Sequence, residues 1–348
     1  MTDYADPDPG ENRHLAMSGF LILVVVAALA AIFATMVLLG KDSGPAEAQT
    51  IREYNLDIVP ADIDYGGGNV WHAWTYKLAD SPVGTVPGPT LTGTVGERLV
   101  VNVTNKLPHV HSFHTHLSNY SLENDGSQMN VISGIGAGAM IAPDDTYTYQ
   151  FDLTEPGLAY YHDHSADGGG TIVANIHQGL YGAIIVNSPD EPAVRGEVIF
   201  MSEIGSETEG DDVPIYIMNG RGIPGGEHHL EQIFHEQGID GVAAQLGVTV
   251  PLITATVGEE LRVHVINIGD AIHSFHAHSV QHISTGTLDG ASWSAQVLPL
   301  IPGQSDTLQF TFTNPGMWLF HCHVVAHADA GMIGIFNITE PEPTPQGQ

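Results

Sequence analysis

The feature that most constrains the fold is an internal duplication of the chain. The repeated segments are "TVGERLVVNVTN" (94–105) with "TVGEELRVHVIN" (256–267), "HSFHTH" (111–116) with "HSFHAH" (273–278), and "EPGLAYYHDH" (155–164) with "NPGMWLFHCH" (314–323). Self-similarity at a nearly fixed interval is typical of a repeated structural unit. The sequence therefore predicts two related domains, which we place at residues 50–189 and 196–340.

Short β-rich runs make up each repeat. Segments such as "ERLVVNVTN", "TYTYQFDL" and "ELRVHVIN" alternate apolar and polar residues and are separated by Gly, Pro, Asn and Asp. This period of two and the frequent turn signals predict an all-β chain built from β-sandwiches. Beyond residue 49, the sequence predicts one short helix, over residues 227–240.

Eight histidines form four His-x-His pairs, two in each repeat. The pairs are His114 with His116, His162 with His164, His276 with His278, and His321 with His323. Residues i and i+2 of a strand lie on the same face, so both imidazoles of each pair converge on one side. Imidazole suits copper, iron, zinc and nickel. The pattern therefore predicts metal ligands in both domains.

The single cysteine narrows the choice of metal. Cys322 lies inside the last pair and is followed by His327 and Met332. One thiolate, two imidazoles and a weak methionine make up a blue-copper site, and His273, just ahead of the third pair, is the candidate second imidazole. A zinc site is the alternative, but this spacing is not typical of zinc.

The segment "HCHVVAHADAGM" (321–332), with Gly316 and Trp318 ahead of it, resembles the C-terminal copper motif of the multicopper oxidases. The chain is most similar to the two-domain small laccases, over about residues 51–340. The resemblance implies two cupredoxin-like Greek-key β-sandwich domains. It also implies four coppers per chain: one type 1, one type 2 and two type 3.

The same resemblance implies the copper ligands, position by position. They are His273, Cys322, His327 and Met332 for type 1, His114 and His276 for type 2, and His116, His162, His164, His278, His321 and His323 for type 3. The first domain departs from the type 1 pattern. It has Asp163 where the second has Cys322, and only His111 echoes a type 1 ligand. Type 1 copper is therefore expected in the second domain alone.

The activity implied by the resemblance is that of a laccase-like oxidoreductase. One-electron oxidation of a phenolic, aromatic or metal-ion donor would be coupled to four-electron reduction of O2 to water. Electrons would enter at Cys322, while Tyr120 and Asp125 would lie beside the cluster, Asp125 assisting proton transfer. The resemblance also implies a homotrimer with each cluster between domain 1 and domain 2 of neighbouring chains, although the residues alone leave pairing within one chain open.

Two other functions fit parts of the sequence. A copper nitrite reductase also has two such domains, but its type 1 cysteine lies in the first domain and it lacks the type 3 ligands. A non-catalytic copper-binding protein is the second alternative. For this, His228, His229 and His235 would support copper capture, unless they are chance histidines of a surface segment.

The N-terminal segment resembles a membrane anchor. The run from Phe20 to Leu39 is uninterrupted and apolar, about long enough to span a bilayer. We expect a cytoplasmic tail at 1–18, an uncleaved anchor at 19–40 and extracytoplasmic catalytic domains in the cell membrane. Cleavage near "AEA" (46–48) and secretion is the alternative.

The charge balance excludes one class of partner. With 40 acidic against 9 basic residues, the net charge is -31. Such a surface repels phosphate, so nucleic acid is excluded as a partner. Salt adaptation and attraction of cations both explain the acidity.

Overall fold

The computed structural model describes residues 49–127, 139–166, 171–190, 194–205, 214–249, 251–284 and 293–342. The predicted tail at 1–18 and anchor at 19–40 lie outside these residues and stay predictions. Within the described ranges, no helix is both long and apolar enough to cross a bilayer.

Two four-stranded sheets form the first half of the folded part. One has the order β2-β1-β4-β6 and the other β3-β8-β7-β5. The strands are β1 (Ile51–Gly66), β2 (Asn69–Leu78), β3 (Leu91–Thr94), β4 (Arg98–Asn105), β5 (His114–Thr115), β6 (Thr146–Asp152), β7 (Gly157–His162) and β8 (Tyr181–Asn187). The buried faces of both sheets supply one continuous apolar cluster.

The second half has a six-stranded and a five-stranded sheet, with the orders β10-β9-β12-β17-β14-β15 and β11-β19-β18-β13-β16. The strands are β9 (Gly196–Ile204), β10 (Ile215–Met218), β11 (Leu252–Thr256), β12 (Glu260–Asn267), β13 (His273–Ala277), β14 (His282–Ser284), β15 (Trp293–Ala295), β16 (Val297–Leu300), β17 (Ser305–Thr311), β18 (Gly316–Cys322) and β19 (Ile333–Thr339). No sheet mixes strands from the two halves in the described part of the chain. The all-β class is therefore confirmed.

Helices are few. They are α1 (Ile172–His177), α2 (Gly226–Thr249), α3 (Val325–Asp329) and a 3-10 turn at Leu122–Asn124. The sequence predicted a short helix over 227–240, and α2 runs further, to Thr249. Its backbone leaves the helical region at Gly238, where φ is 70° and ψ is -168°. Glycine adopts a positive φ at little steric cost, so the two helical pieces meet at this residue.

A third apolar cluster joins the two halves. Trp71, Tyr160 and Tyr181 of the first half pack with Phe200 and Ile266 of the second, all buried. The Tyr160 hydroxyl donates to the Gly303 carbonyl at 2.8 Å. This shared core holds the C-terminal end of α1 against β9.

Candidate metal centres

Two adjacent strands and one short helix bring the type 1 candidates together. Strand β13 carries His273, and it pairs antiparallel with β18, whose last residue is Cys322. Helix α3 follows at once and presents His327. Alternation along β18 buries Cys322 and leaves His321 half-buried on the opposite face.

The three side chains form a compact ligand set. The Cys322 Sγ lies 3.8 Å from the His273 Nδ1 and 3.7 Å from the His327 Nδ1. The two nitrogens are 3.1 Å apart, and all three residues are buried. Ligand atoms about 2 Å from a shared ion stand at such separations. The donor set of one thiolate and two imidazoles fits type 1 copper.

Met332 lies close by along the backbone. Its N–H donates to the His327 carbonyl at 3.0 Å, and its own carbonyl accepts from the Cys322 N–H at 3.1 Å. The side chain is fully buried in the same apolar cluster as Cys322. The fold therefore keeps the predicted axial ligand beside the other three.

Electrostatics favour the thiolate. Burial raises the pKa of Cys322, but hydrogen bonding to His273, His327 and the Ser274 N–H outweighs it and lowers that pKa to about 6. A thiolate is the form that binds a metal. Burial lowers the pKa of His273, yet its contacts with Cys322 and Glu203 raise it to about 9.

Two further residues at this site were missed by sequence reasoning. The Tyr216 ring stacks on His327 with ring centroids 3.9 Å apart and an interplanar angle of 13°. The Glu203 Oε1 lies 2.7 Å from the His273 Nε2. Burial raises the pKa of Glu203, but the contacts with His177 and His273 lower it to about 2. Both residues stand alone in the sequence, far from any histidine motif, so no pattern signals them.

In the first half, a face of histidines forms on β5 and β7. His114, His116 and His162 place ring nitrogens within 4.8 Å of one another, with the His116 and His162 Nε2 atoms 3.3 Å apart. The His164 ring centroid lies 4.8 Å from that of His114. The structure thus brings together the four histidines predicted for this half.

An equivalent face forms on β13 and β18. His276, His278 and His321 cluster within the same distance, and the Nε2 atoms of His278 and His321 are 3.2 Å apart. The His323 ring centroid lies 5.3 Å from that of His276. The duplication in the sequence is therefore also a duplication of histidine groups.

Backbone carbonyls set which ring nitrogen is left free to bind a metal. The Nδ1 of His114 contacts the Asp125 carbonyl at 2.6 Å, and the repeat-equivalent His276 contacts the Gln296 carbonyl at 2.7 Å. A carbonyl only accepts, so Nδ1 carries the proton and Nε2 keeps its lone pair for an ion. Burial also lowers the pKa of His162 to about 3, so this imidazole is neutral.

The two histidine faces do not meet within one chain. Among the described residues, no ring contact and no ligand cluster joins a histidine of the first face to one of the second. Both faces reach the surface, where His116 and His323 are exposed. Each face is therefore a separate, solvent-accessible group of histidines.

In the first half, the position equivalent to the cysteine is filled by a hydrogen-bonded carboxylate. Asp163 is fully buried and lies 2.6 Å from the His111 Nδ1. It also accepts from the N–H and hydroxyl groups of Ser112 and Ser165, at 2.9 to 3.0 Å. This position therefore holds a carboxylate whose oxygens are engaged by hydrogen bonds, and no thiolate.

Tyr120 and Asp125 both lie beside His114. The Tyr120 ring centroid is 6.4 Å from that of His114, and an Asp125 Oδ1 is 3.8 Å from the His114 Nδ1. Burial and then the Asp125 charge raise the pKa of Tyr120 to about 12. The phenol is therefore protonated at ordinary pH.

The remaining predicted candidates lie on α2. His228 and His235 are exposed and His229 is half-buried. In the part of the chain that the structure describes, no ligand cluster includes any of them.

Comparisons with known proteins agree with this geometry. Two family models, both described as multicopper oxidase, match residues 82–191 and 228–342. A solved multicopper oxidase shares 29% identity and a TM-score of 0.66, covering 85% of this chain and 92% of the other. Together with this likeness, the observed sheets give a cupredoxin-like fold.

Two curated relatives are similar over most of the chain. One is a probable nitrite reductase-hydroxylamine oxidoreductase fusion protein of Kuenenia stuttgartiensis, 27% identical over 82% of this chain. The other is the multicopper oxidase MmcO of Mycobacterium tuberculosis, 28% identical over 72% of this chain. The chain spans only 31% and 47% of their respective lengths.

Proposed function

This chain belongs to the multicopper oxidase family, and from that premise we propose that it is a laccase-like oxidase. It would take electrons singly from a phenolic, aromatic or metal-ion donor and deliver four of them to O2, giving two waters. The observation that carries this proposal is the pairing of one buried Cys-His-His set with two histidine half-sites on the same chain.

Strand β18 links the two kinds of centre. Bound copper would supply one-electron transfer at the Cys322 set and O2 reduction at the histidine cluster. Cys322 points inward, whereas its covalent neighbours His321 and His323 lie on the outer face. One peptide unit on each side of Cys322 would therefore connect the two centres. The protein's contribution is to hold the imidazole rings of both centres and the Cys322 thiolate in fixed positions.

We propose that the loop after β5 supplies the protons for O2 reduction. The product water needs protons, and Asp125 is the carboxylate beside His114. Its Oδ2 accepts from the Ser127 hydroxyl at 2.5 Å, which orients the group. Tyr120, kept neutral, would donate a hydrogen bond on the same side of the cluster.

Copper stoichiometry follows from the donor count. We propose four coppers per chain: type 1 on His273, Cys322, His327 and Met332, and three more shared among the eight paired histidines. Because each chain carries two separate half-sites, we propose that a cluster forms between the first half of one chain and the second half of its neighbour. A cyclic homotrimer closes such a head-to-tail contact.

The cellular placement is also a proposal. An anchor at residues 19–40 would hold the folded part outside the cytoplasmic membrane. Copper and external donors would reach it there.

Nitrite reduction is the second candidate, since the similar Kuenenia protein is named a probable nitrite reductase fusion. The type 3 histidines argue against it, because a mononuclear type 2 site does not need His162, His164, His321 and His323 together.

The test compares the total copper content with the EPR-detectable copper in the copper-loaded folded part, residues 49–348. Four coppers with two EPR-visible would support the oxidase. Two coppers, both visible, would contradict it and direct the assay to nitrite.

A further inference from the structure

Among the described residues, a fourth group of side chains that could hold a metal lies apart from the two histidine faces. His177, Glu203 and Asp270 place one ligand atom each within 4.8 Å of one another. His177 ends α1 in the first half, Glu203 lies in β9, and Asp270 follows β12 in the second half. The group therefore spans the junction between the two sandwiches.

The His177 ring lies too far from the two carboxylates for direct hydrogen bonds. The His177 Nε2 lies 3.6 Å from the Glu203 Oε2 and 3.6 Å from the Asp270 Oδ1. A hydrogen bond between such atoms is about 2.7 to 3.2 Å long. Two ligands bound about 2.1 Å from a tetrahedral ion stand about 3.4 Å apart, which is close to the observed spacing.

The buried imidazole is also unsatisfied. His177 is 4% exposed, and neither of its ring nitrogens has a hydrogen-bond partner. Leaving a buried polar group unpaired costs about 1 to 3 kcal/mol, so such groups usually have a ligand. An ion at Nε2 would give this buried nitrogen a partner, with the two carboxylates within reach of the same ion.

The backbone around Glu203 is shaped to hold that carboxylate in place. A Cβ at Gly269 would lie against the Glu203 Oε2, so glycine lets this carboxylate approach the backbone closely. The Asp270 N–H donates to the same oxygen at 3.3 Å. Glu203 is therefore held with Oε1 toward His273 and Oε2 toward His177.

We propose that His177, Glu203 and Asp270 bind a divalent first-row transition-metal ion, in addition to the coppers of the proposed function. One imidazole and two carboxylates form a nitrogen–oxygen set without sulfur, which suits ions such as Zn2+ or Mn2+. Two of the three ligands are almost fully buried and Asp270 is 26% exposed. Such a closed site fits a resident ion that fastens the two sandwiches together.

Glu203 couples this ion to the type 1 site. Its second oxygen lies 2.7 Å from the ring of His273. An ion on Oε2 draws negative charge away from His273, which disfavours the oxidised, more positive state of the neighbouring copper. The bound ion therefore raises the type 1 potential.

The test counts metal in the copper-loaded protein after dialysis against Zn2+. We expect the wild type to hold one more ion per chain than either His177→Ala or Asp270→Asn. His72→Ala is the matched control, since His72 also pairs with an aspartate but is 83% exposed. It should hold as many ions as the wild type. Asp270 is partly exposed, so Asp270→Asn keeps the test valid if His177→Ala fails to fold.

A second measurement compares the reduction potential of the type 1 copper before and after Zn2+ is added. A rise in the wild type that is absent in His177→Ala is the expected result. Equal metal counts in the wild type and both variants would overturn the site, and an unchanged potential would overturn Glu203 as a ligand. The copper count separates this failure from that of the proposed function, because a chain holding four coppers without the extra ion remains an oxidase.

Discussion

At the proposed type 1 site, Met332 is the residue that should set the potential. A thioether donates weakly to copper and stabilises its oxidised state. We expect Met332→Leu to raise the type 1 potential by about 60 mV, a tenfold change in the one-electron equilibrium. Potentiometric titration of the visible absorption measures it. Met317→Leu is the control, since Met317 is 45% exposed on β18. A potential that did not rise would contradict axial ligation by Met332.

Beside the proposed type 2 copper, Asp125 should matter for protons and not for electron entry. We expect Asp125→Asn to lower the turnover of O2 by about 100-fold, the scale of general acid catalysis. Reduction of the type 1 site by an aromatic donor without O2 should stay close to wild type. The matched control is Glu123→Gln, two residues away and solvent-exposed. Full turnover in Asp125→Asn would remove this residue from the mechanism.

At the scale of elements, the loop after β7 replaces a metal site with a polar network. We expect Asp163→Ala to lower the free energy of unfolding by about 3 kcal/mol, because it leaves the buried His111 and two serines without their acceptor. Chemical denaturation measures the change. Asp152→Ala removes the half-exposed partner of Arg98 and should cost at most about 1 kcal/mol. Equal losses in the two variants would show that the network adds nothing.

Strand alternation explains why much of the site could be predicted from sequence. A spacing of two residues already places His321 and His323 on one face and Cys322 on the other, and the duplication supplies the matching half. His177, Glu203 and Tyr216 could not be found this way. His177 meets Glu203 because the two sandwiches pack together. Glu203 and Tyr216 reach His273 and His327 because the two sheets of the second sandwich face each other. No local period in the sequence encodes either contact. Helix α2 extends beyond the predicted range of 227–240. The chain leaves the helical conformation at Gly238 and then forms a second helical piece that reaches Thr249.

At the scale of the whole molecule, the separate histidine faces predict complementation between inactive chains. We expect His162→Ala and His321→Ala to be inactive alone and to regain activity when unfolded and refolded together. In a random mixture of head-to-tail rings, about a quarter of the interfaces would then join two intact faces. Oxygen uptake measures the recovery. Refolding each variant by itself is the control, and a mixture without activity would mean that clusters form within chains.

The open histidine faces have a consequence for when the proposed oxidase could act. If neither face can complete a cluster alone, a newly made chain cannot reduce O2 until it meets its neighbours. Activity per chain should therefore fall on dilution below the assembly concentration, although type 1 copper would remain bound. Such a chain becomes an oxidase only where it is crowded, and an anchor that confines it to a membrane surface would favour that crowding.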